Sequence, residues 1–172
     1  MAEIHQRAQA VLKSLDYDFR IFTIEDFIAW IERAKGRKIF TFEWQMPAGL
    51  FGAWMSDAEQ PKEYIFYRQG VETLHRNHII LHELSHLLFG HPTVGITLAM
   101  LKESYQGHAD LPFIEYARLR SPYLDEQEHE AETLASLIQD VAIRHRHLDQ
   151  LTRSLSSDEK IARFLKDLGL AG

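Results

Sequence analysis

Residues 73–90 read Thr-Leu-His-Arg-Asn-His-Ile-Ile-Leu-His-Glu-Leu-Ser-His-Leu-Leu-Phe-Gly, and the spacing of their apolar and imidazole side chains decides how the chain is organised. At ~100° per residue, His75, His78 and His86 all fall within about 40° of His82 around a helix axis. Ile80, Leu81, Leu84, Leu87 and Leu88 fall on the other side. The pattern predicts a helix from Thr73 to Phe89 with an apolar back and a histidine front, ended by Gly90 as a left-handed cap and by Pro92 just beyond.

Upstream of this helix the period changes. Lys38–Trp44, Leu50–Met55 and Glu63–Arg68 are rich in aromatic and β-branched residues and are separated by turn-forming stretches at 46–49 and 56–62, which predicts three short strands. Earlier still, Ile4, Ala8, Val11, Leu12 and Leu15 recur at helical spacing. Thr23, with Asp26 three residues on, reads as the N-cap of a helix that runs through Phe27, Ile28 and Ile31 to Gly36. Downstream, a helical piece is expected near 94–104, then an irregular crossing through Gly107 and Pro112. A long helix follows from about Ser121-Pro122 to His147. A last helix is expected over 157–169. The predicted class is α+β: one compact domain over 1–172, with N-terminal helices in 3–36, a core over about 38–147, and a small, mostly antiparallel sheet of about three strands.

Composition bounds the function. Length fits one domain, and 45% apolar with 26% charged residues is a globular balance. Nineteen basic residues against twenty-five acidic give a net charge of −6, which argues against direct binding to nucleic acid. No apolar run approaches the ~18 residues of a membrane span and the first residues lack a signal-like apolar region, so a cytoplasmic location with no membrane partner is expected. There is no cysteine, which excludes disulfides, thiolate nucleophiles and Cys-ligated metals. Of ten histidines, five lie within residues 75–91.

His82-Glu83-Leu84-Ser85-His86 therefore carries the chemistry. Two imidazoles one turn apart on one face can reach the same Zn2+ ion, and Glu83, ~60° beyond His86, sits where it accepts a proton from water that the ion activates instead of ligating the metal itself. The same residues can arise by chance on a charged helix face, but the divided faces and the preceding strand favour the metal reading. A third protein ligand is needed. His91 follows His82 by nine residues, one short of the metzincin spacing, and is rejected as a primary ligand. The first turns of the long helix offer carboxylates: Glu128 and Glu132 on one edge of its apolar stripe, Glu126 and Glu130 on the other. Periodicity does not choose between the pairs, and all four would also suit a helix N-terminus as ordinary dipole-favoured acids.

The run His82-Glu83-Leu84-Ser85-His86-Leu87-Leu88-Phe89-Gly90-His91, followed by Glu128-x-x-Ala131-Glu132-x-Leu134-Ala135, resembles the ImmA/IrrE family of zincin-like metallopeptidases over roughly residues 60–140. It departs from that pattern with Ser85 for Gly, His78 for Phe, Glu132 for Asn or Asp, and Leu134 for Phe. The resemblance implies a gluzincin-like zinc peptidase with His82, His86 and Glu128 as ligands, Glu83 as general base, and Glu132 as the acceptor that orients a ligating histidine. It also implies a protein substrate: a helix-turn-helix repressor encoded nearby, in phage or mobile-element, toxin–antitoxin or stress-response regulation of transcription.

Other residues are assigned lesser parts. His75 and His78 lie below the motif on the same face, and His78 and His91 are candidates for a supporting shell. Tyr105, His108 and Tyr123 fall near the segment between the two motif helices and are candidate donors to an oxyanion, with surface packing the ordinary alternative. Tyr64–Tyr67 is a candidate template for an extended substrate, or simply a strand with an aromatic core face. Two further functions compete with proteolysis: a regulatory binding module that keeps the zinc site but sequesters a DNA-binding partner, and zinc-assisted hydrolysis of a small amide. An intact Glu83 favours catalysis, because metal-supported binding needs no general base.

Overall fold

The computed structural model describes residues 2–107 and 125–157. Among them the chain runs through helix α1 (Ala2–Ser14), a 3-10 turn (Phe19–Ile21), helix α2 (Ile24–Lys35) and strands β1 (Lys38–Trp44), β2 (Gly52–Asp57) and β3 (Lys62–Arg68). Helix α3 (Thr73–Phe89), strand β4 (Val94–Ile96) and helices α4 (Leu98–Tyr105) and α5 (Asp125–Ser157) follow. This is one α+β domain. The irregular crossing beyond Gly107 and the helix expected over 157–169 lie outside the described residues, apart from Ser157, which ends α5.

Local chemistry sets the helix ends. The Thr23 hydroxyl accepts a hydrogen bond from the Asp26 backbone N–H at 3.0 Å, and Gly36 closes α2 in the left-handed region at φ 63°. Gly90 ends α3 in the same way at φ 74°, where the His91 N–H turns back onto the His86 carbonyl at 3.0 Å.

The sheet corrects the sequence reading. Among the described residues it has four strands in the order β1-β3-β2-β4, of which only β2 and β3 pair antiparallel; β1 with β3 and β4 with β2 are parallel. Short turns favour the β2/β3 hairpin, whereas both parallel pairings join strands that are not consecutive in sequence, so no local signal announces them. Strand β4 was expected to be helical. Three residues carry too little alternation to be read, and the helix there starts only at Leu98, capped by the Thr97 hydroxyl, which accepts from Met100 N–H at 3.2 Å.

Alternation along the strands divides the core. Ile39, Trp54 and Ile65 face the helices and join Ile80, Leu81 and Leu84 of α3, Phe27 and Ile31 of α2, and Leu134, Ala135 and Ile138 of α5. Ala53, Met55, Tyr64 and Phe66 face the other way, against Val94, Ile96 and Leu101. The apolar back of α3 is thus buried as its periodicity requires. Each of Leu81 and Leu84, fully buried, contributes about 1.5–3 kcal/mol relative to exposure.

Two buried carboxylates are built into the sheet. Glu63 accepts from Trp54 Nε1 and from the Ser56 hydroxyl, each at 2.7 Å, and pairs with Arg37. Asp57 accepts the Tyr64 hydroxyl proton at 2.6 Å and the backbone N–H groups of Glu59 and Gln60, each at 2.9 Å, which ties the β2/β3 turn to the sheet. The Tyr64 bond, with the two backbone donors, lowers the Asp57 pKa. A carboxylate lowered in this way adds stability that is complete above its unfolded pKa of about 3.9 and is lost as the pH falls toward the folded value. Tyr64→Phe is expected to cost about 1–3 kcal/mol near neutral pH. It should also lose less stability than the parent between pH 5 and pH 3, as read by urea unfolding at a series of pH values; parallel pH curves would contradict this assignment.

Candidate metal centre

Helical spacing places His82 and His86 one turn apart on α3, with ring centroids 4.8 Å apart and their Nε2 atoms separated by 3.1 Å. Helix α5 lies across this face. Ala131 and Ala135 are fully buried on its packed side, and with so little side chain there the helix comes close enough for Glu128 to reach both rings. One carboxylate oxygen lies 3.3 Å from His82 Nε2 and the other 3.6 Å from His86 Nε2. Donor atoms of His82, His86 and Glu128 all fall within 4.8 Å of one another, so this group could hold a metal ion. Two imidazole nitrogens and a carboxylate oxygen suit a divalent first-row metal better than the all-oxygen sets preferred by Ca2+ or Mg2+.

The two carboxylate pairs that periodicity left equal take different partners. Glu132 approaches the second nitrogen of His82, Nδ1, at 3.3 Å and His78 Nε2 at 3.2 Å. The hydrogen bond with His82, reinforced by the nearby His78, holds its pKa at about 2, so it is ionised at neutral pH. His78 is braced from its other nitrogen by the Gln139 carbonyl oxygen at 3.3 Å. Glu126 and Glu130 instead pair with Arg7 of α1. His91, set aside as a primary ligand, lies with Nδ1 2.8 Å from His86 Nδ1.

Glu83 is buried and helps line a cleft of about 470 Å³, together with His82, Glu128, Glu132, His75, His78, Ile79 and the chain from Gly49 to Gly52. Arg68 braces that chain: it donates to the Pro47 carbonyl at 2.9 Å and to Leu50, and its guanidinium lies over the Phe51 ring at 4.8 Å. Gly52 is the residue that sequence reasoning passed over. A Cβ there would stand 2.6 Å from Ile79 Cγ2 and 2.7 Å from a Glu83 carboxylate oxygen, so any larger residue would require one of these side chains to shift. A glycine at the edge of a strand pattern signals close approach, and that was the available clue.

Other sequence-predicted residues fall elsewhere. Tyr105 packs against Trp44 over the face of the sheet turned away from α3, because α4 follows β4 across that face, and it does not line the cleft. His108 and Tyr123 lie outside the described residues. Strand β3 cannot serve as a substrate template, since β1 and β2 occupy both its edges. The edge beside the cleft belongs to β2. The Phe51 carbonyl accepts from Arg68 N–H across the β2/β3 pairing at 2.8 Å, so by alternation the backbone groups of Gly52 point to the opposite edge. Among the described residues β4 pairs only with Met55–Asp57 and stops short of Gly52.

The chain matches no family model, no curated protein and no solved structure.

Gly52→Ala tests the packing around Glu83. It is expected to cost about 1–3 kcal/mol through overpacking, read by chemical denaturation, while metal uptake by His82, His86 and Glu128 persists. Stability equal to the parent would show that Glu83 moves aside freely and is not held in place by Gly52.

Proposed function

We propose that this chain is a zinc-dependent endopeptidase. The observation that carries the reading is the convergence of His82, His86 and Glu128 beside a buried, non-ligating glutamate, Glu83, on one open cleft. That donor set fits Zn2+: two neutral imidazoles and one carboxylate are the ligands of a catalytic zinc site, which keeps a further position for water or substrate.

Bound zinc supplies a Lewis acid and lowers the pKa of a coordinated water toward ~7. Around it, His82 and His86 offer Nε2 lone pairs, and Glu128 contributes a negative charge that offsets part of the ion's own. Glu132 accepts from His82 Nδ1 and so fixes which nitrogen of that ring is free to ligate. Glu83 takes the proton of the attacking water and later returns it to the departing amine. The edge of β2 at Gly52, which no strand among the described residues covers, offers a backbone N–H and carbonyl to an extended peptide laid along the cleft.

The resemblance to the ImmA/IrrE family supplies the substrate class. On it, the substrate is a helix-turn-helix repressor encoded beside this chain, and proteolysis acts in cytoplasmic control of transcription, in a mobile-element, toxin–antitoxin or stress-response setting. Contact with DNA then passes through the partner, in keeping with the net charge of −6.

Metal analysis combined with cleavage of the neighbouring helix-turn-helix protein tests the reading. Glu83→Gln is expected to retain zinc and to lose about 10²–10⁴-fold in cleavage rate; cleavage at the parental rate would remove Glu83 from the mechanism. Glu128→Ala is expected to lose zinc, and full occupancy in that variant would assign the third ligand elsewhere. A stable, uncleaved complex with the zinc-loaded parent would instead favour sequestration of the partner.

A further inference from the structure

The second histidine of the motif, His86, is braced through a longer path than the first. Its Nε2 faces His82 and Glu128, while its Nδ1 lies 2.8 Å from His91 Nδ1. The remaining nitrogen of His91, Nε2, is 3.2 Å from a Glu130 carboxylate oxygen, and the other oxygen of Glu130 is 3.0 Å from Arg7 Nε. Arg7 also pairs with Glu126. The side chains of His91 and Glu130 are only 8% and 7% exposed. The row thus runs from the metal centre through the end of α3 and the first turns of α5 to α1.

Backbone geometry explains why a residue five positions after His86 can meet its ring. Gly90, in the left-handed region, reverses the chain so that the His91 N–H caps the His86 carbonyl, and the His91 ring folds back over the last turn. There it stacks on Phe89, nearly parallel at 5.2 Å. Ring position is therefore fixed by packing on one side and by Glu130 on the other.

Proton counting gives the row a direction. Two imidazole nitrogens at 2.8 Å need one donor and one acceptor. A His86 that ligates through Nε2 keeps a lone pair there and carries its proton on Nδ1, so it donates to His91 Nδ1. His91 must then carry its own proton on Nε2, where the Glu130 carboxylate accepts it. Arg7 offsets the charge of that buried carboxylate, which would otherwise be costly to hold there. Resting on the metal-centre reading above, we infer that His91, with Glu130 and Arg7 behind it, is a positioning residue that fixes the tautomer and orientation of His86 for metal binding.

The test uses the full chain, with zinc alone as probe. Affinity is measured by competition with a chromophoric chelator, and histidine tautomers are read from long-range proton–nitrogen spectra of the zinc-loaded protein. His91 is expected to be protonated on Nε2 only. His91→Phe keeps a ring against Phe89 but removes the acceptor, and should weaken zinc binding about 10–100-fold. His91→Asn restores an oxygen near the place of Nδ1 and should recover most of that loss, which a purely packing role would not produce. Unfolding of the metal-free variants controls for general damage. A His91 protonated on Nδ1, or unchanged affinity in a folded His91→Phe variant, overturns the inference while the metal centre stands. Failure of the parent to bind zinc overturns both.

Discussion

Helix α3 carries two incompatible surfaces, and the rest of the domain is arranged around satisfying both. Its apolar back is covered by the sheet and by α2, through Ile65, Trp54, Phe27 and Ile31. Its front places three imidazoles on successive turns, His78, His82 and His86, which a plain hydrophobic partner would leave with unsatisfied nitrogens. The partner that packs there is α5, whose buried stripe of Ala131, Leu134, Ala135 and Ile138 is bordered by glutamates on both edges. One edge supplies Glu128 and Glu132 to His82, His86 and His78; the other supplies Glu130 to His91.

The distribution of charge follows from that packing. Four glutamates within seven residues would repel one another strongly if all were desolvated together. They are instead divided by helical phase, so that one pair meets imidazoles and the other meets Arg7. Helix α1 thereby has an electrostatic part in the domain besides the apolar one marked by Ala8. Placement at the start of α5 adds a favourable interaction with the helix dipole. A divalent ion between His82, His86 and Glu128 would compensate the remaining negative charge on that edge.

Much of this was legible in the sequence where the signal is local. Helix α3 was read with its observed bounds because periodicity, a C-terminal glycine and a following proline all agree, and the α2 cap at Thr23 was readable for the same reason. The choice between Glu128/Glu132 and Glu126/Glu130 was not, since two edges of one stripe are equivalent until the angle and register of the neighbouring helices are known. Arg7 gave no signal at all: its partners lie more than a hundred residues away. The parallel pairings and the three-residue β4 were missed because strand pairing across the sheet has no local sequence signature.

That topological error matters for the site. With the order of the strands unread, β3 looked like a strand that could present an edge to a ligand. In the observed order β1-β3-β2-β4, β3 is enclosed on both sides, and its uninterrupted burial from Glu63 to Phe66 is the signature of an interior strand and not of a binding edge. The edge beside the candidate metal centre passes to β2, and among the described residues no strand pairs with it at Gly52, because β4 is only three residues long. The brevity of β4, which hid it from sequence reading, is therefore why no strand among the described residues pairs with β2 next to Glu83. Gly52 fits that arrangement because the absence of a side chain leaves room for the Glu83 carboxylate beside the strand.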